Sequence, residues 1–368
     1  MKFLLVPDSF KGSISAKEFC DIVTEPIKEC YKNAEILAYP ISDGGENSVE
    51  YLSGLLKGRL MPCKATDSNF ILKNVTFGVT DDIAIISVAS SAGLADAMIK
   101  NPLYTTTYGV GEQIKMAKTL GKMHIYLCLG GSSTNDAGAG MLSALGVKFY
   151  DQDGNSFIPT GATLGKVKTF DLEEFNKNIK GMRFTALCDV TNPLLGKNGS
   201  SYVYARQKGA SDKDIEILEE NMQKYAAITS TLGVDSNFSG SGSAGGMGYA
   251  IKAFLRGEIK SGIDFFLDSM DFLAKAKNAN YIFTGEGRLD DTSIMGKAIG
   301  GIMERSKELK AKLVVFCGQN ALTTIPNAIY KVIQISDDNI PLAQNLATAL
   351  TRLKEKSLHF LLEERNKQ

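Results

Sequence analysis

The stretch Leu127–Met141, LCLGGSSTNDAGAGM, constrains the chain more than any other because it changes character so abruptly. Apolar residues from Ile125 to Leu129 read as a buried strand. Gly130 and Gly131 break it, and Ser132, Ser133, Thr134, Asn135 and Asp136 lead to a small-residue helix expected to start at Ala137. The result is a strand, a polar glycine loop and a helix start.

Such a junction favours anions. Glycine lets backbone N–H groups turn toward a ligand without a Cβ in the way, and a helix N-terminus adds unpaired N–H groups and a positive dipole end. Ser132, Ser133 and Thr134 add hydroxyl donors, while Asn135 and Asp136 can orient a hydroxyl or a metal-bound water. The competing reading is a tight turn with Asp136 as a helix cap.

Composition removes several function classes. The chain has 368 residues, enough for two domains, and 41 basic against 41 acidic side chains give a net charge of zero. No basic stripe points to nucleic acid, and no apolar run approaches the ~20 residues of a membrane span. Met1 runs directly into an expected strand, Lys2–Val6, without a leader-like apolar segment, so a cytoplasmic protein is expected. The six cysteines have no CxxC spacing and read as small core residues. With only two histidines, acid–base work is expected to fall to carboxylates or lysines.

In chain order, a first strand leads through Asp8, Ser9 and Lys11 to a helix from Ala16 with Ser15 as N-cap. A second strand, Glu35–Tyr39, leads to Asp43, Gly44, Gly45 and Glu46. Past the central junction, Phe184–Cys188 is a strand ending in Asp189, followed by Asn192 and Pro193, and RQKGAS at 206–211 supplies two cations before a helix capped by Ser211. SGSGSAGGMG, with Gly245 and Gly246, is a second glycine loop entering a helix. Tyr281–Thr284 is a strand followed by GEGRLDDTS, which carries Glu286, Arg288 and Asp290 ahead of Lys297.

The first two and last three strands have the β-loop-α rhythm of a parallel, flavodoxin/Rossmann-like sheet. The expected architecture is therefore α/β with two α/β domains. Residues 1–65 and 281–368 form a discontinuous domain, and 66–280 form a second α/β domain inserted into it. In such sheets the carboxyl ends of strands share one rim, so the carboxylates and cations are expected to meet at a cleft between the domains. Glycine loops, cations and carboxylates without histidine suggest phosphoryl transfer, with neither a P-loop nor a protein-kinase signature present.

The chain resembles a type-1 (class I) bacterial glycerate kinase from end to end. PDSFKGS at 7–13, SDGGE at 42–46, LGGSSTNDAGAGM at 129–141, CDVTNPL at 188–194, QKGAS at 207–211, AGGMG at 244–248 and TGEGRLD at 284–290 carry the likeness. The resemblance implies ATP-dependent phosphorylation of D-glycerate at the 2-hydroxyl with Mg²⁺. It leaves a homodimer open. Departures are Asn47-Ser48 for Gly-Thr, Ala205-Arg206 where a proline is usual, Met295 for a histidine, and Ala298-Ile299-Gly300 for a Val-Pro segment.

Asp189 is the expected base or hydroxyl orienter, with Lys11 and Arg288 on the glycerate carboxylate or the transferring phosphate. Asp8, Ser9, Asp43, Glu46, Asn192, Glu286 and Lys297 are the expected substrate-binding set, and Asp43 and Asp290 the metal candidates. Gly130, Gly131, Ser132, Ser133, Thr134, Asn135, Gly245 and Gly246 are the expected nucleotide or phosphate loops. Two alternatives are a kinase for a different small hydroxy acid and a non-catalytic glycerate- or nucleotide-binding regulator on the same fold.

Overall fold

The computed structural model describes every residue except Lys11, Asp43, Glu46 and Gln368, so three of the expected site residues lie outside the described ones. The chain forms two compact units, a split unit of Met1–Asp43 with Ile263–Gln368 and an inserted unit of Gly44–Gly262. The seams thus fall earlier on both sides than the expected 65/66 and 280/281.

Local pairing explains both shifts. Arg59–Thr66 is hydrogen-bonded along its length to Leu72–Val79 as an antiparallel hairpin, so it goes with the inserted sheet. The helix Gly262–Ser269 is held to the split unit by Arg305, which donates to Asp264 at 2.9 Å and also pairs with Asp268 at 2.5 Å.

The split unit carries a five-stranded, wholly parallel sheet. Its order from one edge is Glu35–Ala38, Lys2–Leu5, Tyr281–Asp290, Lys312–Ala321 and Lys331–Gln334. Numbered within the unit this is 2-1-3-4-5, the flavodoxin-like order, whose switch point lies between the first and third strands. Aromatic rings fill its core. Phe283 lies against Phe3, Phe316 and Phe360, with ring centroids 5.4–5.9 Å apart. The helix Ala16–Cys30 buries Phe19, Val23 and Ile27, one per turn, and starts at Ser15 in a capping box with Glu18.

The inserted unit has a six-stranded mixed sheet. Glu258–Lys260, Arg183–Leu187, His124–Cys128 and Ile83–Ser87 run parallel, and Leu72–Val79 and Arg59–Thr66 extend it antiparallel. A small antiparallel sheet of Ser156–Phe157, Lys148–Tyr150 and Thr169–Asp171 stands apart from it. Among the described residues no helix is long and apolar enough to cross a membrane.

Candidate active site

The third strand of the split unit is longer than expected. It continues past Thr284 to Asp290 because the neighbouring strand also continues, pairing Arg288 with Gln319 and Asp290 with Ala321. Glu286, Arg288 and Asp290 are therefore strand residues and not loop residues. At spacing i, i+2, i+4 they share one face, and that face lines a cavity of about 730 Å³.

Asp8, Ser9 and Lys297 line the same cavity, so six expected site residues meet inside one unit, at its switch point. Asp8 is buried, and its Oδ1 accepts the Ser9 N–H at 2.6 Å. Gly285 is required at the strand bend, since a Cβ there would stand 2.7 Å from the Phe316 carbonyl and 2.9 Å from the Phe10 ring. Arg288 is two-thirds exposed and reaches Asp290 only at 3.7 Å, a weak surface pair. Asp290 accepts from the Thr292 hydroxyl at 2.7 Å, and this bond more than any other holds its carboxyl below the usual range. Lys297 precedes the helix Ala298–Ser306 and donates to Thr292 Oγ1 at 3.0 Å. The far wall mixes Ile335, Ile340 and Leu346 with Ser336, Asp337, Asp338 and Asn345. Met295 is 78% exposed and does not line the cavity.

The glycine loop behaves differently. Gly130 sits against the Gly44-Gly45 segment, where a Cβ would meet Gly45 N at 2.6 Å, and its N–H donates to the Gly44 carbonyl at 2.9 Å. Two motifs far apart in sequence thus touch within the inserted unit. Beyond Gly131, which has φ +73°, the side chains turn inward. Ser133 Oγ donates to the Ala92 carbonyl at 3.0 Å, and Asn135 bonds to Ser200 and Ser201 at 2.8 and 3.1 Å. Ser133, Thr134, Asn135 and Asp136 are all buried.

The helix after the loop starts at Ala139, not Ala137, and has only six residues. Ala137 is left-handed at φ +51°, and the Asp136 carboxylate takes up the Gly138, Gly140 and Thr107 N–H groups at 2.8–3.2 Å. Asp136 thus acts from two residues before the N-cap, Gly138, and with Ala139 bonded to the Asp136 carbonyl and Met141 to Thr107 Oγ1 the first turn has no N–H left for an anion. Burial raises the Asp136 pKa, opposed by those same bonds. Gly245 and Gly246, at φ +72° and +93°, let the second glycine loop press on the first, since Cβ atoms would lie 2.0 Å from the Thr134 carbonyl and 2.9 Å from Ala137 Cα.

Asp189 stands at the carboxyl end of Arg183–Leu187, as expected, and is half-buried. Its Oδ1 accepts from Ser261 Oγ at 2.9 Å, and Gly262 is needed beside it because a Cβ there would approach Oδ2 to 2.9 Å. Asn192 is engaged within the fold, donating to the Asn198 carbonyl at 3.0 Å and accepting from the Tyr204 hydroxyl. Among the described residues no three His, Cys, Asp or Glu side chains group closely enough to hold a metal ion by themselves.

One functional candidate escaped the sequence reading. Lys208 lies in the RQKGAS motif, whose two cations were visible, but nothing in its pattern marks it as buried under the glycine loop. It donates there to Ser132 Oγ and the Thr134 carbonyl.

Comparison with known proteins bears on this geometry. Residues 3–361 match the family model described as the glycerate kinase family. A glycerate kinase of Bacillus cereus is 36% identical, covering 98% of this chain and all of the relative. A glycerate 2-kinase of Escherichia coli is 36% identical over 86% of this chain and 85% of its own. A crystal structure from Salmonella typhimurium LT2, described as glycerate kinase 2, superposes with a TM-score of 0.84 at 32% identity, covering 100% of this chain and 99% of that one.

Proposed function

This chain belongs to the glycerate kinase family, and on that premise we propose that it phosphorylates D-glycerate at its 2-hydroxyl, with ATP as phosphoryl donor and Mg²⁺ assisting. The observation that carries the reading is the cavity of the split unit, where carboxylates and cations from three separate chain segments line one space. Phosphoryl transfer asks a protein mainly to position anions and offset their charge.

Arg288 and Lys297 bind anionic oxygens, the first as a fork suited to a carboxylate or phosphate, the second as a point charge. The N-terminus of Ala298–Ser306, with Ala298 on the cavity wall, adds its dipole to the same preference. Asp8, Glu286 and Asp290 are the described carboxylates that would help hold Mg²⁺ when it is bound. The chemistry it would supply is an offset to the charge on the transferring phosphoryl group. Lys11, Asp43 and Glu46 keep the substrate- and metal-binding roles their motifs imply. The Gly130–Ser132 turn takes a phosphate of the nucleotide.

Asp189, oriented by Ser261, accepts the proton of the attacking hydroxyl. The hydroxyl oxygen forms a bond to the γ-phosphorus, the bond from that phosphorus to the β–γ bridging oxygen breaks, and ADP departs. ADP release with D-glycerate, L-glycerate and tartronate tests the assignment. Asp189→Asn is expected to lower turnover by ~10²-fold or more, and an unchanged rate removes Asp189 from the role. Turnover only with another hydroxy acid would keep the kinase and change its substrate, and ATP binding without turnover would favour a regulator.

A further inference from the structure

Lys208 has no part in the reaction as derived above, yet its placement opposes its own charge. The residue is 4% exposed, and burial pulls its ammonium down to about 7, with the Asp136 carboxylate opposing the fall. An ammonium is strongly hydrated, so taking it out of water stabilises nothing by itself. The compensation lies in what it holds. Nζ donates to Ser132 Oγ at 2.9 Å and to the Thr134 carbonyl at 2.7 Å, gripping the glycine turn from inside the fold. The turn is also pinned from its other side, where the Gly131 carbonyl accepts the Leu94 N–H at 2.9 Å.

In its charged form Lys208 can only donate, so Ser132 Oγ is then the acceptor in that bond. The Ser132 hydroxyl proton is donated to no described residue, and Thr134 Oγ1, fully buried, has no partner among the described residues either. Buried hydroxyls are normally satisfied, so unused capacity at two neighbouring positions points to a further group in contact with the turn.

We propose that Lys208 is a positioning residue that fixes Ser132 as a hydroxyl donor to a phosphate of the nucleotide held at the Gly130–Ser132 turn. A cation donating to the hydroxyl oxygen polarises its O–H and strengthens the bond that O–H makes in turn. The inference rests on the reading of that turn as phosphate-binding.

The test measures ATP affinity by calorimetry and turnover by ADP release for the wild type, Lys208→Met, Ser132→Ala and the double variant. Each single change is expected to weaken ATP binding about tenfold and to leave the KM for D-glycerate unchanged. The double variant is expected to bind no more weakly than Lys208→Met, because both changes remove one relay. A lysine that only stabilised the fold would instead lower the melting temperature and let the two losses multiply, which would overturn the proposal. Wild-type ATP affinity in Ser132→Ala would overturn it as well, and that variant loses a single oxygen, so its result stands even if Lys208→Met fails to fold. A wild type that binds ATP but phosphorylates no glycerate breaks the proposed function while leaving these affinities comparable.

Discussion

The cavity of the split unit and the glycine loop of the inserted unit use polar residues in opposite ways. In the cavity, Glu286, Arg288 and Asp290 alternate along an extended strand and line one space. In the loop, Ser133, Thr134, Asn135 and Asp136 turn inward and the Gly130 N–H is taken by the Gly44 carbonyl, which leaves Gly131 and Ser132 for a ligand. The first region offers side chains and the second offers backbone. Mutations should therefore separate the two: cavity residues should alter binding with the fold intact, and the loop's inward-packed positions should alter the fold itself.

The largest effect is expected at Gly245. An alanine there combines a left-handed φ of +72° with a Cβ 2.0 Å from the Thr134 carbonyl. Strain and overlap together should lower stability by about 3 kcal/mol or more. Urea unfolding of Gly245→Ala measures this, and a wild-type midpoint would break the contrast on the loop side.

Arg288→Ala probes the other side. Its side chain is two-thirds exposed and weakly paired, so stability should change by less than about 0.5 kcal/mol. Anion affinity should fall ~10-fold or more, as expected for a lost charge-assisted hydrogen bond. Thermal melting beside the KM for D-glycerate checks both halves, and a destabilised variant with normal KM would show that the cavity residue is structural after all.

The smallest effect sharpens the comparison through two buried carboxylates. Asp136 is held by neutral donors and burial raises its pKa, whereas Glu364 sits among Lys312, Lys367, Tyr281 and Tyr330. Burial alone would push the Glu364 carboxyl up, but those four hydrogen bonds outweigh it and bring the value to about 2. A carboxyl depressed on folding contributes its full stability above the unfolded value of 4.5 and loses it as pH falls toward 2. Melting temperature should therefore drop over that acid window in the wild type and drop less in Glu364→Gln. Equal slopes would remove Glu364 from the acid response.

Much of the fold was legible because periodicity and caps report local structure directly. Ser15 and Ser211 cap the helices they were expected to cap, each in a capping box. The split parallel sheet follows from the spacing of its strands. The seams were not legible, because Arg59–Thr66 looks the same whether it pairs with its neighbour or with the first strand, and pairing is a tertiary decision.

At the site, the sequence named six residues that line one cavity, but placed Glu286, Arg288 and Asp290 after a strand and not on it. The partner strand Lys312–Ala321 extends the pairing, and no local pattern announces that. In the glycine loop, contacts from far along the chain decide which side chains turn inward. Polar residues in a row look available to a ligand, but Asp136 accepts from the nearby N–H groups, and Ser133 and Asn135 bond within the fold. Lys208 was invisible because burial of a lysine depends on contacts from far along the chain.

The most direct measurement is phosphorus NMR of the product after incubation of the wild type with ATP, Mg²⁺ and D-glycerate. A phosphate on the 2-oxygen sits next to a single carbon-bound proton and gives a doublet, whereas one on the 3-oxygen sits next to a methylene and gives a triplet. The doublet of 2-phospho-D-glycerate is expected, appearing only with Mg²⁺ and matched by ADP. The triplet would contradict the assigned position of transfer, and ATP left intact in the presence of D-glycerate would contradict the kinase reading itself.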